Sequence, residues 1–100
     1  MEGVSLEKIG GNGINIYGNI SSIDDYAKIR DFIKDVIDSG NNIITIKILD
    51  SKTVTSSLLG YFMKLVNHDK IKITLEVVSQ ELYNSLSAMH LVDIFNIKKI

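Results

Sequence analysis

The chain has 100 residues, 45% of them hydrophobic and 23% charged, which suits one packed domain spanning 1–100 and excludes both a disordered chain and a membrane-embedded one. Its 11 basic and 12 acidic residues leave a formal charge of −1, so direct binding to nucleic acid or to an anionic membrane is not expected. Cysteine is absent, which excludes a disulfide framework, a thiolate nucleophile and a Cys-ligated zinc.

Two β-prone runs, 4–9 and 14–20, open the chain around Gly10-Gly11-Asn12-Gly13. The Asn-Gly pair tolerates the positive φ of a tight turn, so the two are expected to form an antiparallel hairpin. The glycines do not open a helix and lack the Gly-Lys-Ser/Thr ending of a phosphate loop. Ser21-Ser22 then offers a hydroxyl cap, with Asp24 and Asp25 in the first turn where the helix dipole favours negative charge. Tyr26, Ile29, Ile33, Val36 and Ile37 recur at helical spacing, and Gly40 supplies a left-handed stop, which predicts a first helix of about 15 residues. The carboxylates Asp24, Asp25, Asp31, Asp35 and Asp38 interleave with Lys28, Arg30 and Lys34 and are expected on its solvated face.

A β-branched run at 43–49 reads as the third strand. A helical stripe of Leu58, Leu59, Phe62, Met63 and Val66 ends near Asn67-His68-Asp69 and marks the second helix. The fourth strand is expected at 71–78. A third helix follows from about Ser79, with Leu82, Leu86 and Met89 on its apolar face, and a last strand at 94–97. The strands alternate: Ile71, Ile73, Leu75 and Val77 oppose Lys72, Thr74 and Glu76, and Ile44, Ile46 and Ile48 oppose Thr45 and Lys47. Strands covered on both faces would read as unbroken apolar runs, so one sheet face is expected to meet solvent. With all helices on the other face and right-handed crossovers, the parallel strands must step in one direction. The fold class is thus α/β, a single-wound β/α superhelix with a mainly parallel four- to five-stranded sheet, helices on one face and an N-terminal β-hairpin. It offers no strand-order reversal for a nucleotide crevice.

The chemistry-bearing residues narrow to one segment. His68 and His90 sit at expected helix ends without ligands at metal spacing, which suits a structural role and implies no metal or cofactor. No nucleophile, base and orienting group converge, so enzymatic activity is not expected. Asp50-Ser51-Lys52-Thr53-Val54-Thr55-Ser56-Ser57 carries five hydroxyl residues at the carboxyl end of the third strand, where such sheets place functional loops. A Ser or Thr there can simply cap the helix. Alternatively it can accept a phosphate, which the free amides and positive dipole end would tolerate and which adds about −1.5 to −2 charges to a neutral surface. No apolar run reaches the roughly 20 residues a membrane helix needs, and the opening Met1-Glu2-Gly3-Val4 lacks the apolar region of a signal peptide, so a cytoplasmic protein is expected.

Ile43 to Leu49 followed by Thr53-Val54-Thr55-Ser56-Ser57-Leu58-Leu59-Gly60 resembles the signature of the STAS domain, the anti-sigma factor antagonist module of bacteria. In that family a strand and short loop lead into Asp-Ser-Ser-Gly-Leu-Gly at the start of the second helix. Tyr17-Gly18-Asn19-Ile20-Ser21 lies where the family has a Gly-Glu-Leu-Asp turn, and Ser87 to Phe95 is similar to its closing helix-to-strand segment, so the resemblance covers about residues 14–97. It implies the same superhelical fold and a regulatory protein bound by a serine kinase that is itself an anti-sigma factor, with a serine phosphatase as a further partner. Ser57 matches the phosphorylated serine, with Ser56 as the secondary candidate. The partner-facing set is Ser21, Ser22, Asp50, Thr53, Thr55, Ser56, Ser57, Leu58 and Tyr61. Thr55 stands in place of the family Asp, Leu58 in place of Gly, and Ser21 in place of an acidic residue. Two other readings stay open: a constitutive scaffold or accessory subunit in a stress-signalling assembly or a lipid transporter, and a small-ligand or nucleotide-binding module.

Overall fold

The computed structural model describes residues 3–100; Met1 and Glu2, part of the segment read as no signal peptide, lie outside the described residues. Eight elements follow in the order β1 (Ser5–Ile9), β2 (Gly13–Tyr17), α1 (Ile23–Asp38), β3 (Ile43–Ile48), α2 (Ser56–Asn67), β4 (Lys72–Val77), α3 (Gln80–Ala88) and β5 (Ile97–Lys99). One five-stranded sheet takes them in the order β1-β2-β3-β4-β5. The β1–β2 pair is antiparallel and the other three pairs are parallel. This is the single-wound, one-directional sheet that the alternation and crossover handedness require.

The alternation places a stack of β-branched and leucine side chains on one face. Ile14, Ile16, Ile44, Ile46, Ile48, Leu75 and Val77 are all at most 1% exposed. They pack against Ile29 and Ile33 of α1, Leu58 and Phe62 of α2 and Leu82 and Leu86 of α3 in one continuous core. The register lines up Glu7, Asn15, Lys47, Glu76 and Lys98 across the opposite face. There Tyr17 donates its hydroxyl to Glu7 at 2.7 Å, and Lys47 stands 3.9 Å from Glu76. Helices cover only the apolar face, which is why a single period-two pattern persists through every central strand.

Several expectations shift locally. The hairpin forms, but its positive φ falls on Gly10, not on Asn12-Gly13. Gly13 is already a strand residue opposite Ile9, and the Asn12 side chain instead donates to the Ile43 carbonyl at 3.0 Å. The second strand stops at Tyr17, short of Ile20, because Gly18 turns the chain at φ +91°. The last strand is Ile97–Lys99, not 94–97: Phe95 is buried within a turn, and Ile97 takes the core position. Met89 is 48% exposed as the C-cap of α3, off the buried face it was assigned. Asp25 is buried at 6% exposure, not on the solvated face with the other α1 carboxylates.

Candidate functional site

Because β2, β3 and β4 run parallel, each of their carboxyl ends feeds a helix N-terminus at one edge of the sheet. The sequence supplies a hydroxyl at each of these three starts. Ser22, Thr55 and Ser79 are the N-caps of α1, α2 and α3, and each accepts a bond from the third amide of its helix. At Ser22 the cap is reciprocal, since the Asp25 carboxylate reaches back to the cap amide at 3.2 Å. Asp25 also accepts from Ser21 at 3.1 Å and from Val4 at 3.3 Å. The Ser21 amide leads the hydrogen bonds that hold this carboxyl below the usual aspartate range, against the opposing effect of burial.

The loop between β2 and α1 is fastened to the loop between β3 and α2 by side chains of the latter. Asp50 accepts from the Gly18 amide at 2.8 Å. Ser51, 0% exposed, accepts from the Ile20 amide at 3.0 Å and donates to the Thr53 carbonyl at 2.6 Å. Thr53 in turn donates to the Ile20 carbonyl at 3.2 Å. Two loops that would otherwise move independently are therefore one hydrogen-bonded platform.

Ser56 and Ser57 stand beside this platform as the first two residues of α2, both exposed. Their amides belong to the helix turn that has no intrahelical acceptor. Ser57 is thus a reachable hydroxyl at the positive end of a helix, on the same edge as exposed Ser21, Ser22, Asp50 and Thr53. Thr55 is half-buried and its hydroxyl is committed to the Leu58 amide at 3.1 Å. Leu58, expected on the partner-facing surface, is 0% exposed: its side chain fills the core and presents nothing outward. Tyr61 lies one turn beyond Ser57, half-buried in a groove between α1 and α2 with Tyr26, Arg30 and Lys64. Burial pushes its phenol up to about 12.

Two features of this edge escaped the sequence reading. Ser51 is indistinguishable by type from its hydroxyl neighbours; only the tertiary packing makes it the buried fastener. Ile23, the first residue of α1, is 81% exposed beside Ser21 and Ser22, although its three-residue spacing from Tyr26 suggests an inward position. His68 caps the end of α2 and pairs through Nδ1 with Asp69 at 2.8 Å. Among the described residues no group of three His, Cys, Asp or Glu side chains is arranged to hold a metal ion. No described helix is long and apolar enough to cross a membrane.

No protein-family model matches the sequence, and no curated protein is significantly similar to it. The fold is nevertheless that of a known crystal structure, an anti-sigma factor antagonist from Mycobacterium paratuberculosis. The two superpose with a TM-score of 0.75 at 11% sequence identity, over 97% of this chain and 85% of the other. The single-wound β/α architecture inferred from the residues is thereby shared with a solved protein, while identity this low speaks to fold alone.

Proposed function

We propose that this chain is a non-catalytic regulatory module that acts as an anti-sigma factor antagonist, bound by a serine kinase that is also the anti-sigma factor. The β3–α2 loop, the start of α2 and the β2–α1 loop form the docking surface, and phosphate on Ser57 releases the partner. The observation that carries this reading is the exposed Ser57 hydroxyl at the amino end of α2, beside a platform fastened by Asp50, Ser51 and Thr53. The unpaired first-turn amides and the dipole accommodate the phosphate without unfolding the helix. The added charge of about −1.5 to −2 opposes a partner fitted to the bare hydroxyl. The resemblance of the segment to the family signature and the shared fold support the same reading.

The experiment is intact-mass measurement after incubation with ATP and a purified serine kinase of the anti-sigma type. The wild type should gain one phosphate and Ser57→Ala none; equal labelling of both removes Ser57 as the acceptor. A second reading, a constitutive scaffold or accessory subunit, is favoured by the replacement of the family Asp and Gly with Thr55, whose hydroxyl is spent on capping, and Leu58, which is sealed in the core. On that reading the wild type binds its partner and takes up no phosphate under any kinase condition.

A further inference from the structure

The Asn12-Gly13 pair is not used by the turn in which it stands, since the positive φ of that turn falls on Gly10. Each residue is held instead by a contact of its own. A Cβ on Gly13 would come within 2.7 Å of the Ile9 carbonyl oxygen, so the close approach of β1 admits only glycine there. Asn12 joins the amino ends of β2 and β3: its side-chain Nδ2 donates to the Ile43 carbonyl at 3.0 Å, and its own carbonyl accepts from the Thr45 amide at 3.1 Å. The fold thus sets an asparagine amide beside the least hindered backbone nitrogen a chain can supply. The other asparagines lack that neighbour. Asn15, Asn19, Asn42 and Asn96 each precede Ile, whose β-branch crowds the nitrogen. Asn41 precedes Asn42, Asn67 precedes His68, and Asn84 lies within α3. The hairpin tip is also lightly fastened. Asn12 is exposed, and a Cβ at Gly10 or Gly11 would meet nothing within 4 Å. The side-chain bonds that tie the tip down, from Asn12 to Ile43 and from Asn41 to the Gly11 carbonyl at 2.9 Å, are solvent-exposed. Segments held in this way open locally at less cost than global unfolding.

We infer that Asn12 is a site of spontaneous covalent modification, converted to aspartate or isoaspartate through a succinimide formed with Gly13. When the tip opens, the Gly13 nitrogen gives up its proton and attacks Cγ of Asn12. The new N–Cγ bond closes the ring, the Cγ–Nδ2 bond breaks, and Nδ2 leaves as ammonia with the proton that Gly13 lost. Water then adds to either ring carbonyl. Cleavage of the N–Cγ bond gives aspartate; cleavage of the original peptide bond routes the main chain through Cβ and Cγ and gives isoaspartate. Water is the only co-reactant, and no electrons are gained or lost. The product reverses the contact at β3. An amide that donated becomes a carboxylate that only accepts, and it faces the Ile43 carbonyl oxygen. In isoaspartate the carbonyl that served Thr45 also leaves the main chain. The modification thus loosens the amino ends of β2 and β3, where their register begins at Gly13 and Thr45, at the opposite ends of these strands from the hydroxyl loop. It goes beyond the Ser57 reading and does not depend on phosphorylation.

The test is peptide mapping by mass spectrometry of the full chain held at mildly alkaline pH, folded and in urea, with isoaspartate told from aspartate by electron-transfer fragmentation. In the folded chain Asn12 should convert before any other asparagine, and urea should accelerate the conversion. Asn12→Gln, whose extra methylene disfavours ring closure, should remove the earliest product. Asn12→Asp, which reproduces one product, should lower the melting temperature by about 4 °C and shift the amide NMR signals of Ile43 and Thr45. Should Asn12→Asp fail to fold, the mapping of the wild type decides alone. Earlier conversion at another asparagine, or an unmodified Asn12 in the folded chain once the urea sample has fully reacted, would overturn the assignment. Wild-type melting of Asn12→Asp with unshifted Ile43 and Thr45 signals would overturn the loosening of β2 and β3. Ser57→Ala should leave the rate of conversion unchanged, which separates this result from the fate of the phosphorylation reading.

Discussion

Asp25 shows how much one side chain can carry that its sequence neighbours do not. Five acidic residues populate α1, yet only Asp25 is buried, where its two oxygens collect the Val4, Ser21 and Ser22 amides. Its folded pKa lies below the unfolded value of about 3.9. The stabilisation is therefore fully present above about pH 4 and is lost as pH falls through the lower folded value. Asp25→Asn keeps the shape but sets an amide group among donors, and should cost about 1–3 kcal/mol at neutral pH. Urea melts across pH should show the gap between wild type and variant closing below about pH 4; a gap that persists at pH 2 would show that packing, not ionisation, is what Asn disturbs. The first-turn position of Asp25 was legible from the spacing after Ser22. Its burial was not, because it arises from the approach of Val4, 21 residues earlier.

Helices and strands were legible wherever their own side chains decided them. The α1 cap, the α2 stripe and the alternation in β3 and β4 all follow from local chemistry, and their ends moved by a residue or so. Where a distant contact decides, local pattern misleads. At 94–97 the apolar residues suggested a strand, but Phe95 turns inward against Phe62 with ring centroids 5.8 Å apart, and the strand begins only at Ile97. The start of α2 is the element on which the proposed function and stability meet. Thr55→Ala should lower stability by about 1 kcal/mol through loss of the cap. Thr55→Asp should restore it, since a carboxylate caps as well and suits the positive dipole end. Paired thermal melts check both. A Thr55→Asp variant as unstable as Thr55→Ala would mean that the methyl group, not the hydroxyl, is what this position requires. On the proposed reading, the same Asp also returns to the neighbourhood of Ser57 the charge found in the family signature.

For the molecule as a whole, the one-sided sheet was the most legible property, because three central strands repeat the same inward set of Ile, Leu and Val. The candidate site was legible to the level of a hydroxyl-rich loop at one edge. The fastening of that loop to its neighbour through Ser51 needed the tertiary structure, since nothing local tells a buried serine from an exposed one. Phe95 closes the core at the end opposite the hairpin and is fully buried with Phe62. Phe95→Ala should cost about 3–5 kcal/mol, enough to unfold a domain with a typical reserve of 5–15 kcal/mol part of the time at 37 °C. A calorimetric loss under about 1 kcal/mol would show that this end of the core collapses around the gap.

Each strand pairs only with the strands before and after it in the chain, so the sheet grows in the order in which it is written. A nascent polypeptide leaving the ribosome would present every new strand to an edge already waiting for it. No earlier pairing has to be reopened to admit a later arrival. Topologies that insert a late strand between early ones must reopen the sheet or hold a gap inside it during synthesis; here only the growing edge stays open until the next strand arrives.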